Sequence, residues 1–201
     1  MTPTPPLDEL TGDYVIDTAH TRIGFVARHT VGGRVRGQFD EFEGGAHLDG
    51  GHPSKSGIRL TVRAHSIRTG DQRRDKLLRG RFLDVESHPV IAFSSVAIAR
   101  DDGARFKVTG NLTIRGATQP LVLDVELHGH APAPQGDPQG VPMADGMGDG
   151  LDDGRGAFRL GFKGGVTVNR GDWGVNWNAA TTALISPKVA LEFDIAVLRR
   201  P

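Results

Sequence analysis

The sequence predicts an all-β fold of about eight antiparallel strands, with one short helix in the segment 66–85. Three observations carry that prediction. Apolar and polar residues alternate strictly over long runs: Phe106, Val108, Gly110, Leu112 and Ile114 against Lys107, Thr109, Asn111, Thr113 and Arg115. That period belongs to antiparallel strands with one buried face. Turn formers separate the runs, among them Gly32-Gly33, Gly50-Gly51 and Asp101-Asp102-Gly103. Only the segment 66–85 departs from the rhythm, and it carries helix formers instead.

In chain order, a Pro-rich lead over residues 1–12 is expected to be disordered, followed by one domain over 13–200. Residues 14–17 and 22–29 read as strands, the second with Ile23, Phe25 and Ala27 on one face. Val35, Gly37 and Phe39 form the next, and Ala46 and Leu48 continue more weakly. Ile58, Leu60, Val62 and Ala64 alternate with Arg59, Thr61, Arg63 and His65. Beyond the break at His88-Pro89, residues 90–99 place Ile91, Phe93 and Ser95 on one face. The strand at 106–114 follows, residues 116–120 turn the chain, and Leu121, Leu123, Val125 and Leu127 resume the alternation. Over 130–156 Pro, Gly and Asp dominate without period, which reads as a flexible surface insertion. Phe158, Leu160, Phe162, Val166 and Val168 restore order. Asn169-Arg170-Gly171-Asp172-Trp173-Gly174 is a loop, and Val189, Leu191, Phe193, Ile195 and Val197 mark the last strand.

Within 66–85, Asp71 stands where a side chain accepts from the free N–H groups of a first helical turn, and Gly80 is a stop signal. Leu77, Leu78, Phe82, Leu83 and Val85 give the piece an apolar side; Arg73, Arg74, Lys76 and Arg79 give it a cationic one. Such a two-sided plug covers or lines one mouth of a barrel.

Composition removes several functions. The chain of 201 residues has no cysteine, so disulfides, thiolate catalysis and Cys-ligated metals are excluded. With 24 basic and 24 acidic residues it lacks the basic excess of a nucleic-acid or anionic-membrane binder. The eight histidines show no ligand spacing, and no metal or other cofactor is expected. The N-terminus has neither the basic nor the apolar stretch of a signal peptide, and no window has the length of a membrane span; a cytoplasmic address is expected.

Eight strands with one apolar face can stack as a sandwich or close as a barrel, and closure removes the exposed edges. The inward set is aliphatic and Phe-rich, without Trp, which favours an elongated hollow over a filled core, although a filled core shows the same alternation. Trp173, Trp177 and Tyr14 either shield a ligand at a rim or close a barrel end.

Five ordered motifs resemble the YceI-like family: Tyr14-Val15-Ile16-Asp17-Thr18-Ala19-His20-Thr21-Arg22-Ile23-Gly24-Phe25, Ser66-Ile67-Arg68-Thr69-Gly70, Arg74-Asp75 with Leu78-Arg79, Asn111-Leu112-Thr113-Ile114-Arg115-Gly116, and Asn169 through Gly174. The resemblance implies a lipocalin-like barrel whose interior holds a polyisoprenoid or similar amphiphile, in a chain that forms homodimers. It departs from the family in three places: Leu77 stands where many relatives have His, no signal peptide precedes the domain, and the insertion is long. The expected ligand contacts are Phe25, Phe39, Leu60, Val62, Leu77, Leu78, Phe82, Phe93, Val108, Leu112, Leu123, Val125, Leu160, Phe162, Leu191 and Phe193, with Arg74 and Asp75 at the head group. A non-catalytic lipid carrier is the first expectation. The alternative is an isomerase or cyclase on a similar substrate, with Asp75 or His20 as acid–base group, although no nucleophile elbow, HExxH or nucleotide-binding glycine motif is present. A filled barrel that binds only partners is the third.

Overall fold

The computed structural model describes residues 7–30, 32–132, 158–176, 178 and 184–200. Among them are eleven strands, all paired antiparallel: β1 (Gly12–Ile16), β2 (Arg22–His29), β3 (Arg34–Phe39), β4 (Phe42–Leu48), β5 (Gly57–Arg63), β6 (Ile67–Arg68), β7 (Val90–Asp102), β8 (Arg105–Ile114), β9 (Ala117–Pro132), β10 (Phe158–Asn169) and β11 (Ile185–Arg199).

Eleven strands reduce to eight staves because three staves are each broken once. β11 pairs along one side first with β2, at Asp194 opposite Arg22, and then with β1, at Val197 opposite Ile16. β1 and β2 are therefore one stave, interrupted by a turn at Thr18–His20 whose first N–H groups Asp17 caps. In the same way β3 pairs with β2 and β6, while β4 pairs with β1 and β5. The ring runs β1/β2, β3/β4, β5/β6, β7, β8, β9, β10, β11, and the β1–β11 pairing closes it. Ser66 ties the adjacent breaks together: its hydroxyl donates to the Arg63 carbonyl at 2.7 Å and accepts from the Glu41 N–H at 3.0 Å. The expected all-β, eight-stranded antiparallel barrel is thus the fold, and closure rather than stacking disposes of the edges.

Three local expectations are corrected. The strand expected to start after Pro120 starts at Ala117, so Pro120 lies inside β9, opposite Asn111. It is tolerated because β9 pairs with β10 only from Asp124 onward, leaving that stretch one unpaired side. The lead is not featureless throughout: Leu7–Leu10 is a 3-10 turn, and Leu10 is buried in the core. Gly80 does not stop the helix. Helix α1 (Gln72–Leu77) passes directly into a wider π-type turn, Leu78–Phe82, with the Leu83 N–H donating to the Leu78 carbonyl at 2.9 Å. Of the insertion, residues 130–132 end β9, and the rest, with the faint calcium-loop echo at 146–152, lies outside the described residues.

The two ends of the barrel differ. At one, Leu10, Tyr14, Leu127, Leu160 and Val197 pack together as a floor. The Tyr14 hydroxyl donates to the Leu10 carbonyl at 2.9 Å, fixing the 3-10 turn across the end. At the other, Ala64, Ile67 and Leu83 pack with Phe25, Phe39 and Leu78 beneath α1 and its π-turn.

Candidate functional site

Between floor and plug the barrel encloses a cavity of about 500 Å³, lined mostly by hydrocarbon. That volume lies in the range of small-molecule pockets and well above a packing defect. It remains open partly because three inward phenylalanines lie flat. A Cβ on Gly37 would strike the ring of Phe25, one on Gly110 the ring of Phe93, and one on Gly164 the ring of Phe193. Each ring covers bare backbone on the neighbouring stave, so its thickness rather than its length projects into the lumen. The expected inward glycines, Gly37 and Gly110, thus act as seats for rings.

The plug is held by a polar network centred on Thr69. Asp75 is 6% exposed and accepts from both the Thr69 N–H at 2.9 Å and its hydroxyl at 2.5 Å. Arg74 donates from Nε to the Thr69 hydroxyl oxygen at 2.7 Å and from Nη2 to its carbonyl at 3.1 Å. Asp71 caps α1 by accepting from the Arg74 N–H at 2.9 Å. Arg79 donates to the Ile67 carbonyl at 3.0 Å. Thr69 therefore ties the two motif residues together indirectly.

On the facing side of this mouth, Arg170–Trp173 forms a 3-10 turn after β10. Trp173 is buried and donates from its indole to the Leu112 carbonyl at 2.8 Å, so it closes this end of the wall as Tyr14 closes the other. Arg170, 6% exposed, donates to the carbonyls of Val175 (2.6 Å), Ile185 (3.2 Å) and Ser186 (3.3 Å) and to Asn176 Oδ1 (2.6 Å). Burial lowers its pKa from the ordinary guanidinium value.

Of the residues expected to contact a ligand, sixteen border this cavity: Phe25, Phe39, Leu60, Val62, Leu77, Leu78, Phe82, Phe93, Val108, Leu112, Leu123, Val125, Phe162, Leu191, Phe193 and Arg74. Leu160 and Asp75 do not. Leu160 is completely buried in the floor, and Asp75 is turned beneath α1 toward Thr69. His20 lies at the stave break outside the lumen, its Nδ1 2.8 Å from Asp17. Arg170 borders the cavity and was not expected to; Trp173, read as shielding a ligand at a rim or closing an end, borders it too, so the inward set does contain a Trp, delivered by a turn rather than a strand. The sequence signal for them was an Arg and a Trp inside one Gly-rich loop. Trp177 lies outside the described residues. Among the described residues, no group of His, Asp and Glu is arranged to hold a metal, and no helix is long and apolar enough to cross a membrane.

Comparison with known proteins agrees with this architecture. Residues 14–197 match the profile of the YceI-like domain. A UPF0312 protein of Pseudomonas aeruginosa is 31% identical over 169 residues, covering 83% of this chain and 78% of its own. One from Pectobacterium carotovorum is 34% identical over 131 residues, covering 64% and 68%. Among solved structures, Burkholderia cenocepacia BcnA superposes with a TM-score of 0.73 at 19% identity, over 90% of this chain and 98% of that one. A polyisoprenoid binding domain from Saccharophagus degradans, implicated in plant cell wall breakdown, superposes with a TM-score of 0.63 at 14% identity, over 93% and 98%.

Proposed function

Since this chain belongs to the YceI-like domain family, we propose that it holds a single long-chain isoprenoid or similar amphiphilic lipid inside the barrel, and carries or sequesters it without transforming it. The observation that supports this reading is the open apolar cavity of about 500 Å³ running from the floor to the plug. A hydrocarbon chain in an apolar space of that size gains dispersion contacts along its length. Burying the chain contributes about 25 cal/mol per Å² of apolar surface, so affinity needs no catalytic group. The name of the Saccharophagus neighbour points to the same ligand class.

A carrier is favoured over an isomerase or cyclase because neither acid–base candidate borders the lumen: Asp75 faces Thr69 and His20 faces Asp17. The test is native mass spectrometry of gently purified protein. A co-purifying lipid mass is expected, absent from a Leu123→Trp variant whose lumen is filled. No bound mass, together with no uptake of added polyprenols, would remove the proposal; conversion of a bound polyprenol into a new product would replace it with the enzymatic one.

A further inference from the structure

Equal totals of acid and base, which argued against an anionic-surface binder, conceal an uneven distribution. The segment 66–83 carries six cations, Arg68, Arg73, Arg74, Lys76, Arg79 and Arg81, and two carboxylates, Asp71 and Asp75. Residues 133–157 carry five Asp and one Arg. That stretch leaves and rejoins the barrel where Pro132 pairs with Phe158, close to Leu160 of the floor. The surplus of base therefore sits on the plug, and the surplus of acid on a stretch attached at the opposite end.

Part of the plug's charge is engaged within the fold. Arg74 and Arg79 donate to the carbonyls of Thr69 and Ile67, and Arg68 pairs with Asp40 at 2.9 Å. Arg73, Lys76 and Arg81 are exposed and pair with no carboxylate among the described residues. At the same end Arg28 stands directly opposite Arg34 across the β2–β3 hairpin, a like-charge pair that costs stability inside the fold. Leu184 is held beside that hairpin at 58% exposure: Thr30 donates to its carbonyl from the N–H at 3.0 Å and from the hydroxyl at 3.1 Å. The acidic groups of this end, Asp71, Asp84, Glu86 and Asp172, are fewer than its cations, and Asp71 is committed to the helix cap.

Cations clustered on one end are drawn to an anionic bilayer, and an exposed leucine among them adds apolar area that the bilayer interface buries. A nucleic acid would satisfy the same cations but leave Leu184 in water. The acidic stretch at the floor end is repelled by the same surface, so the field turns the mouth toward it. We propose that the plug end, with Arg28, Arg34, Arg73, Lys76, Arg81 and Leu184, is a docking face for an anionic bilayer, which the barrel meets mouth first and leaves reversibly. The docking rests on this surface alone; its use in loading and unloading the lumen rests on the reading of that lumen as a lipid site. A lipid passing from bilayer to docked mouth avoids exposing its chain to water.

The test is co-sedimentation of the full chain with vesicles of phosphatidylcholine, alone or mixed with phosphatidylglycerol. Binding is expected only with phosphatidylglycerol, and it should fall as salt is added. The Arg73→Gln/Lys76→Gln/Arg81→Gln variant should weaken it roughly fivefold per charge removed. None of the three borders the cavity, and circular dichroism checks the fold. The Lys55→Gln/Arg105→Gln/Arg200→Gln variant makes the same change in net charge at the floor end and should stay within about twofold of the unaltered chain. Leu184→Ser should weaken binding as well. Since the chain has no cysteine, a polarity-sensitive dye on Leu184→Cys should shift to the blue on phosphatidylglycerol vesicles, while the same dye on Asp102→Cys, beside the floor, should not. Binding that needs no phosphatidylglycerol, absence of binding at low salt, or equal loss in the two triple variants would overturn the docking face. A shift at Asp102→Cys and not at Leu184→Cys would overturn its orientation. Double-stranded DNA bound as tightly as the vesicles, with Leu184→Ser affecting neither, would replace the bilayer with a polyanion. Co-purifying lipid without vesicle binding would remove the docking face and leave the carrier; vesicle binding by a chain that takes up no lipid would do the reverse.

Discussion

A five-residue apolar cluster stops the barrel at the Leu10 end, whereas the Asp71 end combines a smaller apolar cluster with a network of hydrogen bonds. The floor joins Leu10 with Tyr14, Leu127, Leu160 and Val197 from four separate stretches of chain, and opening it would expose all of them to water. The plug is one continuous segment: Leu83 packs on a smaller cluster with Ala64 and Ile67, and Thr69, Asp75, Arg74 and Asp71 add a network of hydrogen bonds that opening would exchange for water ones. The hydrogen-bond exchange has a small net free energy, so the plug is expected to open locally below global unfolding. On the proposed function, the difference predicts that the floor stays a fixed wall while the plug is the side that opens to a lipid.

Breaking the floor should have the largest effect. Leu160 has no exposed surface, so Leu160→Ala is expected to cost about 3 kcal/mol of global stability, through lost transfer energy and the void left behind. Urea unfolding measures it; a loss below about 1 kcal/mol would show that the floor relaxes around the gap and is no wall.

Asp75→Ala attacks the plug instead, leaving the Thr69 N–H and hydroxyl without their buried acceptor, at about 2 kcal/mol. Its signature should be regional. Amide exchange should accelerate across 69–85 while amides of β10 and β11 stay protected. Uniform acceleration would mean that the plug and floor unfold as one unit, which removes the distinction between them.

How much of this was legible from residues alone follows from the range of the interactions. Period-two runs such as 106–114 disclosed their strands because alternation is a local property. So was the Asp71 cap, three residues from its donor. Eight staves from eleven strands was not, since the breaks at Thr18–His20 and Ala64–Ser66 are bridged only by partners far along the chain. Alternation named most of the lining but could not separate lumen from solid packing: Leu160 and Phe162 share a face of β10, yet only Phe162 meets the cavity. Spacing also mistook Asp75 for a head-group contact, because whether a charge beside Arg74 turns outward or toward Thr69 depends on where Thr69 lies. Arg170 was hidden for the opposite reason, being a charged residue in a loop that the fold buries.

The two ends should also differ in pH response, beginning with the floor. Burial raises the Tyr14 phenol above its ordinary pKa, an effect partly countered by the Arg199 charge. The folded state then keeps the proton longer than the unfolded chain. The stabilisation is fully present below the ordinary phenol value and is lost as pH rises through the folded one. Tyr14→Phe should remove that alkaline sensitivity and cost about 1 kcal/mol at neutral pH through the lost bond to the Leu10 carbonyl. Thermal melts across alkaline pH check both parts; an unchanged alkaline slope would place the sensitivity elsewhere.

The smallest effect is expected at Asp71, and in acid. Its carboxyl is held below the ordinary Asp value chiefly by the N–H of Arg74, with smaller help from the Arg73 N–H and the Arg74 charge, against some desolvation. The folded state therefore releases the proton more readily than the unfolded chain. The cap's contribution is complete above the ordinary carboxylate value and disappears as pH falls through the lower folded one. Because the group is exposed, the consequence should be local: faster amide exchange in the first turn of α1 with little change in melting temperature. Asp71→Asn keeps the accepting oxygen without the charge, so it should hold the turn at neutral pH and abolish its acid response. If Asp71→Asn instead loosens the whole segment at neutral pH, the charge rather than the hydrogen bond holds this end shut.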